Sequence, residues 1–211
     1  MKICPKKILL VSLFFGSQTA SAIEGSIEDR SKLDVSFKMG AYAGEISRPN
    51  ISTGEYDTFQ FGGVPIIMVL NNNYSPNASA IMQVGLVTDL VNDQVSRQGF
   101  DAGIAYHVFG GSKFLSKQSR YSSRVWKNPY NLSVVLLGGM HHYAASDKAD
   151  ISTNVTGAVF ETSTGIQYRH DVSDEKSMGL DIMGTVFTLP ASVDRIEPRG
   201  IEISLFWRFL M

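Results

Sequence analysis

The sequence is nearly free of cysteine, and this limits how the folded protein can be stabilised. Cys4 is the only cysteine, and it lies in the N-terminal leader. A mature chain that begins after the leader therefore has no disulfide and no cysteine-based metal site. Because exported small domains often gain stability from disulfides, we expect another source here, and closure of a β-barrel in lipid is one.

Long hydrophobic runs and an excess of one charge are also missing. After the leader no stretch reaches about 18 uncharged apolar residues, so no transmembrane helix is predicted. The 19 Lys and Arg residues nearly balance the 20 Asp and Glu residues, which gives no case for nucleic acid as a partner. The catalytic motifs HExxH and GxSxG are absent, and no metal-ligand spacing occurs, so we predict neither metal nor cofactor.

The N-terminus has the three parts of a secretory signal peptide. Lys2, Lys6 and Lys7 precede the short apolar run 8–15, and Ala-Ser-Ala at 20–22 fits a cleavage site. We predict a signal peptide over residues 1–22, with a short membrane anchor as the alternative. Residues 23–32 are predicted to form a polar lead-in to the folded domain.

The rest of the chain consists of segments in which apolar and polar residues alternate. A period of two indicates strands with one apolar and one polar face. Eight such segments, joined in sequence, predict an all-β fold, an eight-stranded antiparallel up-and-down β-barrel over residues 33–211. The segments are 33–43, 58–70, 78–90, 99–109, 132–143, 155–169, 178–189 and 200–211.

Alternation alone leaves open which face of the barrel is outside. A soluble barrel would bury the apolar row around a ligand, whereas a transmembrane barrel would turn that row to lipid and the polar row to its lumen. On the transmembrane interpretation the charged residues form a buried ion-pair network instead of an open pore, with Lys38 pairing with Glu202 across the closing seam. The predicted network is Asp34, Lys38, Asp101, Glu161, Arg169, Asp181, Glu202 and Arg208.

Aromatic residues near the strand ends favour the transmembrane interpretation. On the apolar row they suit the girdles that mark membrane interfaces. The predicted interfacial residues are Phe59, Tyr106, Tyr168, Trp207 and Phe209.

The last strand, GIEISLFWRFLM, is amphipathic and has an aromatic residue close to its end. It resembles the terminal strand by which bacterial outer-membrane barrels are recognised for assembly. Over residues 33–209 the pattern resembles the small eight-stranded barrels of the outer-membrane protein A superfamily.

That resemblance implies location in the bacterial outer membrane, with both termini in the periplasm. Outer loops are then expected near residues 44–57, 91–98, 144–154 and 190–199. The implied partners are outer-membrane lipids, the barrel-assembly machinery and an extracellular ligand of the loops.

One inner connection, residues 110–130, is long and carries no acidic residue. Its basic residues are spaced four, three, four and three apart, which gives one stripe on a helix. We predict contact with anionic lipid headgroups, with an acidic polymer or a solvated loop as alternatives. The basic residues are Lys113, Lys117, Arg120, Arg124 and Lys127.

The last two strands are also similar to those of lipid A 3-O-deacylase, in which a His-x-Ser pair works with a Glu. Glu202 stands where that Glu would be, but Gly184 and Val186 stand at the His and Ser positions. A serine hydrolase without base and nucleophile has no ordinary route to acyl transfer. The similarity therefore argues for shared architecture and against shared chemistry.

The remaining polar residues give no clear catalytic set. A constellation of His107 with Asp101 and Ser163 is one alternative, but a polar barrel interior explains these residues more simply. We therefore predict a non-enzymatic barrel with a structural or surface-interaction role. The alternatives are an envelope-lipid enzyme, a narrow passive channel and a soluble periplasmic carrier.

Overall fold

A computed structural model describes residues 33–49, 54–75, 77–89, 95–110, 129–145, 155–172, 176–191 and 195–210. All of them belong to one compact unit of the chain. The predicted signal peptide, the polar lead-in and the basic residues Lys113, Lys117, Arg120, Arg124 and Lys127 lie outside the described residues, so these assignments stay predictions.

The described residues form eight strands that close into one antiparallel barrel in chain order, with β1 paired to β8. The strands are β1 (Leu33–Pro49), β2 (Tyr56–Ser75), β3 (Ala78–Asp89), β4 (Val95–Phe109), β5 (Tyr130–Ala145), β6 (Val155–Asp171), β7 (Lys176–Pro190) and β8 (Glu197–Leu210). The predicted fold class is confirmed. In the described part of the chain, no helix has the length and hydropathy that crossing a membrane requires.

The barrel has two distinct ends. Asp34 of β1 pairs with Leu210 of β8, so the start of β1 and the end of β8 lie at one end of the barrel, called the termini end. The opposite end, where Pro49 of β1 pairs with Tyr56 of β2, is called the loop end.

The apolar row of each strand faces away from the lumen. In β8 the side chain of Leu205 is 53% exposed, whereas neighbouring Ser204 is fully buried. The same alternation holds in β4, where Phe100 and Ile104 are exposed and Asp101 is buried. Because lipid is the solvent that an apolar outer face needs, the closed sheet has the surface of a transmembrane barrel.

Several strands extend beyond their predicted ends. β1 and β2 continue into the outer loop expected at 44–57, and β4 begins at Val95 inside the loop expected at 91–98. Asn71 and Asn73, which follow the predicted end of the second segment at residue 70, lie in β2 with buried side chains. They keep the inward alternation of the strand, and the barrel interior supplies the hydrogen bonds that a turn would otherwise provide.

The interior is not the uniformly polar one that the sequence predicted. Two groups of buried apolar side chains lie among the charges, because β5 and parts of β2 and β3 are apolar on both faces. The loop-end cluster consists of Tyr42, Ile46, Phe61, Val87, Val95, Tyr143, Val159 and Ile196. The middle cluster consists of Ile67, Val69, Ile81, Ala105, Val135, Leu137 and Met183.

Candidate functional site in the barrel lumen

Below the loop-end cluster, Glu161 of β6 is held by two partners. Arg97 Nη2 of β4 lies 3.1 Å from Glu161 Oε2, and the Tyr143 hydroxyl of β5 donates a hydrogen bond to Glu161 Oε1. The guanidinium of Arg97 also lies over the Tyr42 ring, 5.4 Å from its centroid. The arginine and the tyrosine replace the hydrogen bonds that the buried carboxylate would otherwise make with water.

Asp101 of β4 lies on the same layer and has its own partners. Its Oδ1 is 2.7 Å from His141 Nε2 of β5, and its Oδ2 accepts a 2.9 Å hydrogen bond from Gln83 of β3. Gly99 makes room for the histidine, since a Cβ there would lie 2.0 Å from His141 Nδ1. Arg97 Nη2 lies 3.4 Å from His141 Nε2, so the Asp101 and Glu161 groups are connected.

At mid-height the closing seam carries a different pair from the predicted one. Lys38 Nζ of β1 forms an ion pair with Asp181 of β7 and lies 3.4 Å from Gln83 Oε1. Glu202 of β8 accepts a 2.8 Å hydrogen bond from Ser204. The predicted pairing of Lys38 with Glu202 is wrong, because the strand register sets Glu202 opposite Tyr42, four residues further along β1.

At the termini end, polar side chains form a hydrogen-bonded belt across β1 to β5. His107 of β4 lies between two serines, with Nε2 2.7 Å from Ser79 Oγ and Nδ1 2.8 Å from Ser133 Oγ. Ser79 donates to Asn73 Oδ1 at 2.6 Å, and Asn73 Nδ2 donates to Asp34 Oδ2 at 3.0 Å. All five side chains are buried.

The hydrogen bonds of the belt determine the direction of the bond between His107 Nε2 and Ser79. Because Asn73 donates its amide to Asp34, its oxygen must face Ser79, whose single hydroxyl hydrogen is then used on that oxygen. Ser79 can only accept from His107, so Nε2 of His107 bears a hydrogen. A histidine that donates to a serine does not act as its general base, and this short Ser–His contact is structural.

Arginines complete the polar layer on the other side of the lumen. Arg208 of β8 lies 3.5 Å from Asp34 Oδ2 and donates to Gln167 of β6 at 3.4 Å. Arg169 Nε of β6 lies 3.2 Å from Asp171 Oδ1. Side chains from β1 to β6 and β8 therefore fill the termini end of the lumen.

All eight residues predicted for the network point inward and are buried. The alternation pattern did not identify three of their partners, which are Arg97, His141 and Asp171. Arg97 was assigned to an outer loop, although it shares the odd-numbered parity of Asp101 and therefore its inward face. The constellation of His107, Asp101 and Ser163 is not assembled, since His107 contacts Ser79 and Ser133 while Asp101 contacts His141.

Four of the five predicted interfacial aromatics are on the outer face near the termini end: Tyr106, Tyr168, Trp207 and Phe209. Tyr130 stacks on His170 beside them, with ring centroids 4.9 Å apart. The assignment of Phe59 is wrong, because it shares the inward parity of Phe61 and packs against the loop-end cluster. β2 keeps one register with β1 on both sides of Gly62 and Gly63, so the inward parity of Phe61 extends to Phe59.

Comparison with known proteins supports the fold and nothing narrower. No protein-family model matches the chain, and no curated protein matches it. The crystal structure of Neisserial surface protein A is similar with a TM-score of 0.52 and 10% identity, covering 85% of this chain and 97% of that one. The similarity to lipid A 3-O-deacylase is not shown by these comparisons.

Two further structures match with lower scores. The N-terminal β-barrel domain of Pseudomonas aeruginosa OprF has a TM-score of 0.48 and 10% identity, covering 86% of this chain and 98% of that one. Ail, the attachment invasion locus protein of Yersinia pestis, has a TM-score of 0.43 and 8% identity, covering 83% and 98%.

The barrel's apolar exterior and its eight-stranded architecture both fit a membrane environment. The outer row of every strand is predominantly apolar, and the charges of the described strands are concentrated in the lumen and at the rims. The chain has the fold of the small eight-stranded outer-membrane β-barrels, and its apolar exterior is the surface that a membrane environment requires.

Proposed function

We propose that this protein is a non-enzymatic, non-conducting outer-membrane barrel with a structural or surface-interaction role. The observation that carries the proposal is the filling of the lumen by side chains at three heights. Tyr143, Ile46 and Val159 of the loop-end cluster are fully buried, so solvent does not reach these side chains from the loop end. A barrel of eight strands is narrow enough for side chains to fill it.

The middle cluster and the belt add further barriers to an ion. Val135 and Leu137 are 1% exposed, and an ion passing them would lose its water without gaining ligands. This argues against the narrow passive channel. The histidines of the lumen are bonded within the network and buried, which argues against the envelope-lipid enzyme.

The loop end offers the surface for an interaction role. β2 pairs with β3 only up to Gly63 and Asp89, whereas its pairing with β1 continues to Pro49 and Tyr56. Among the described residues, the β1–β2 hairpin therefore continues above the last β2–β3 pair, where one edge of β2 has no strand partner, and an Arg48–Asp57 ion pair at 3.4 Å spans the hairpin. An exposed strand edge is a surface on which an extended partner can add a strand. An extracellular ligand of this hairpin, and the barrel-assembly machinery as partner of β8, remain parts of the proposal.

Conductance in planar bilayers tests the closed lumen. The refolded wild-type protein is expected to produce no conductance steps. The double variant Tyr143→Ala and Leu137→Ala removes one large side chain from each apolar cluster and is expected to increase ion passage, which checks that the assay can detect an opening. Folding of both proteins is verified by the gel mobility of unheated samples. Reproducible wild-type steps would contradict the proposal.

Lipid analysis tests the alternative of an enzyme. Envelope lipids from cells that lack the gene should match those from wild-type cells in acylation and headgroup composition. A species that disappears with the gene and returns only with an intact copy would favour the envelope-lipid enzyme.

A further inference from the structure

The last two strands separate before they end. The ladder between β7 and β8 begins where Lys176 pairs with Phe209 and stops where Gly184 pairs with Ile201. Both strands nevertheless continue toward the loop end, where β7 still pairs with β6 up to Pro190 and β8 still pairs with β1 as far as residue 197. Residues 185–190 and 197–200 therefore present unpaired edges to each other. We call this opening the β7–β8 split.

Two cavities border the split and share Thr185 and Arg199. One, of about 420 Å³, is lined, as far as the described residues go, by the two separated strand ends. The other, of about 660 Å³, extends from the split to β1, β2 and the end of β3, and both outward residues such as Glu45 and buried residues such as Phe61 line it. The split is thus continuous with a larger cavity at the loop end of the barrel.

The split stands at the level of the lipid headgroups. Arg199 is the first charged residue on the outer row of β8 above the apolar row from Ile201 to Phe209. Eight residue steps at about 3.3 Å, tilted by about 40°, give that row a height of roughly 20 Å, comparable with the apolar band of outer-membrane barrels. Backbone groups left unpaired at this level bond either to interfacial water or to a ligand.

The side chains of the split suit a polyhydroxyl ligand. Glu197 and Arg199 are adjacent on the outer row, and neither has a hydrogen-bond or ion-pair partner among the described residues. Glu45 lies across from Arg199 on β1, so the surroundings carry no excess of positive charge that would select a phosphate. Phe187 is 52% exposed at the same opening and offers a flat apolar face. Sugar hydroxyls both donate and accept hydrogen bonds. They can therefore donate to the carboxylate, accept from the guanidinium and do both with the backbone groups.

An apolar channel continues below the split. Gly184 sits on the outer row at the last rung of the ladder, and a Cβ added there would meet only the Gly200 carbonyl oxygen, at 4.0 Å. Ile182 and Ile201 flank this open space with exposed side chains. An alkyl chain laid over Gly184 would cover apolar surface while its head remained at the split.

We propose that the β7–β8 split is a binding site for a glycolipid of the membrane, with the sugar headgroup between the separated strands and an acyl chain over Gly184. The sugar satisfies the backbone groups of both edges and bonds to Glu197 and Arg199. This function goes beyond the structural role proposed above and does not depend on the closed lumen.

Hydrogen exchange of the backbone amides tests the site. The protein is refolded into phosphatidylcholine nanodiscs, with or without a small fraction of digalactosyl diacylglycerol, a neutral lipid with a two-sugar head. Those amides of residues 185–188 and 199–200 that point into the split should exchange about tenfold more slowly with the glycolipid. Amides of residues 180–182, inside the ladder, should not change. Phosphatidylglycerol at the same mole fraction replaces the sugar head with an anionic one and should give no added protection.

The Gly184→Leu variant separates binding from folding. It fills the open space over Gly184, which borders the split, and it should fold, as judged by gel mobility, but lose the protection given by the glycolipid. Four results would each overturn the proposal: full protection of the split in phosphatidylcholine alone, no effect of the glycolipid, an equal effect of phosphatidylglycerol, or undiminished glycolipid protection in Gly184→Leu.

Discussion

The Lys38–Asp181 ion pair tests most directly whether each buried charge in the lumen is stabilised by its partner. Both side chains are buried, with 3% and 0% of their surfaces exposed. Removing one partner leaves an unpaired charge away from water, which costs about 3–5 kcal/mol of unfolding free energy. The two single variants should differ. Lys38→Met leaves Asp181 without its cation, and Asp181 Oδ1 already has no hydrogen-bond partner. The loss of unfolding free energy should therefore lie at the upper end of that range. Asp181→Leu leaves Lys38 its contact with Gln83, so the loss should be smaller.

Combining the two substitutions should restore most of the stability. The double variant Lys38→Met with Asp181→Leu removes both charges together, and replacing a buried pair by apolar groups is often close to neutral. The matched control is the Arg48–Asp57 pair at the loop end, whose side chains are 24% and 37% exposed. Substituting Arg48→Met should cost less than about 1 kcal/mol, because solvent screens an exposed pair.

Equilibrium unfolding by urea in lipid vesicles, monitored by tryptophan fluorescence and gel mobility, measures all of these variants. The reasoning about the lumen would be refuted if Lys38→Met unfolded within about 1 kcal/mol of the wild type. It would also be refuted if the double variant were as unstable as the worse single one.

Three further predictions concern other parts of the barrel. Tyr143→Phe removes the hydroxyl that donates to Glu161, and it should cost about 1–3 kcal/mol in the same unfolding assay. Leu205→Arg puts a charge in the middle of the lipid-facing row and should cost about 2–4 kcal/mol, whereas Ile201→Arg, near the rim, should cost about 0–1 kcal/mol. Ser79→Ala breaks the belt and should cost about 1–3 kcal/mol, with faster hydrogen exchange at the termini end as a second measure.

Alternation in the sequence was sufficient to predict the number of strands, their order and the face that each presents. A period of two assigns inward and outward residues independently of the partner strand. That is why all eight network residues were placed on the buried face, and why Tyr106 and Trp207 were placed outside. The strand ends were harder to predict, because pairing with a neighbouring strand can extend a strand through residues that read as turns, as at Asn71 and Asn73.

Partners within the lumen could not be predicted from parity alone. Which inward residues meet depends on the stagger between strands, which sets Lys38 beside Asp181 and separates it from Glu202. The assignment of Phe59 failed for a related reason, since near the loop end the inward row of β2 is itself apolar and an aromatic side chain does not by itself reveal its face. The β7–β8 split was also invisible in the sequence, because nothing local in residues 185–190 or 197–200 indicates that two extended segments do not pair.

The layered interior explains how a chain without disulfides in its barrel can be stable. Polar layers satisfy their hydrogen bonds across several strands, as His107 does between Ser79 and Ser133. Apolar layers between them exclude water and strengthen those electrostatic contacts. Closure of the sheet removes the exposed edges that would otherwise invite aggregation, apart from the split and the raised hairpin.

The most direct test of the central claim is a tryptophan comparison on adjacent residues of β8. In a background in which Trp126 and Trp207 are replaced by phenylalanine, Leu205→Trp and Phe206→Trp are refolded into vesicles containing phosphatidylcholine with brominated chains. Leu205 is 53% exposed on the outer row, whereas Phe206 is 1% exposed in the lumen. Bromine should strongly quench the fluorescence of Leu205→Trp and leave Phe206→Trp nearly unchanged. Stronger quenching of Phe206→Trp, or failure of the folded protein to associate with vesicles, would contradict a barrel whose apolar row faces lipid.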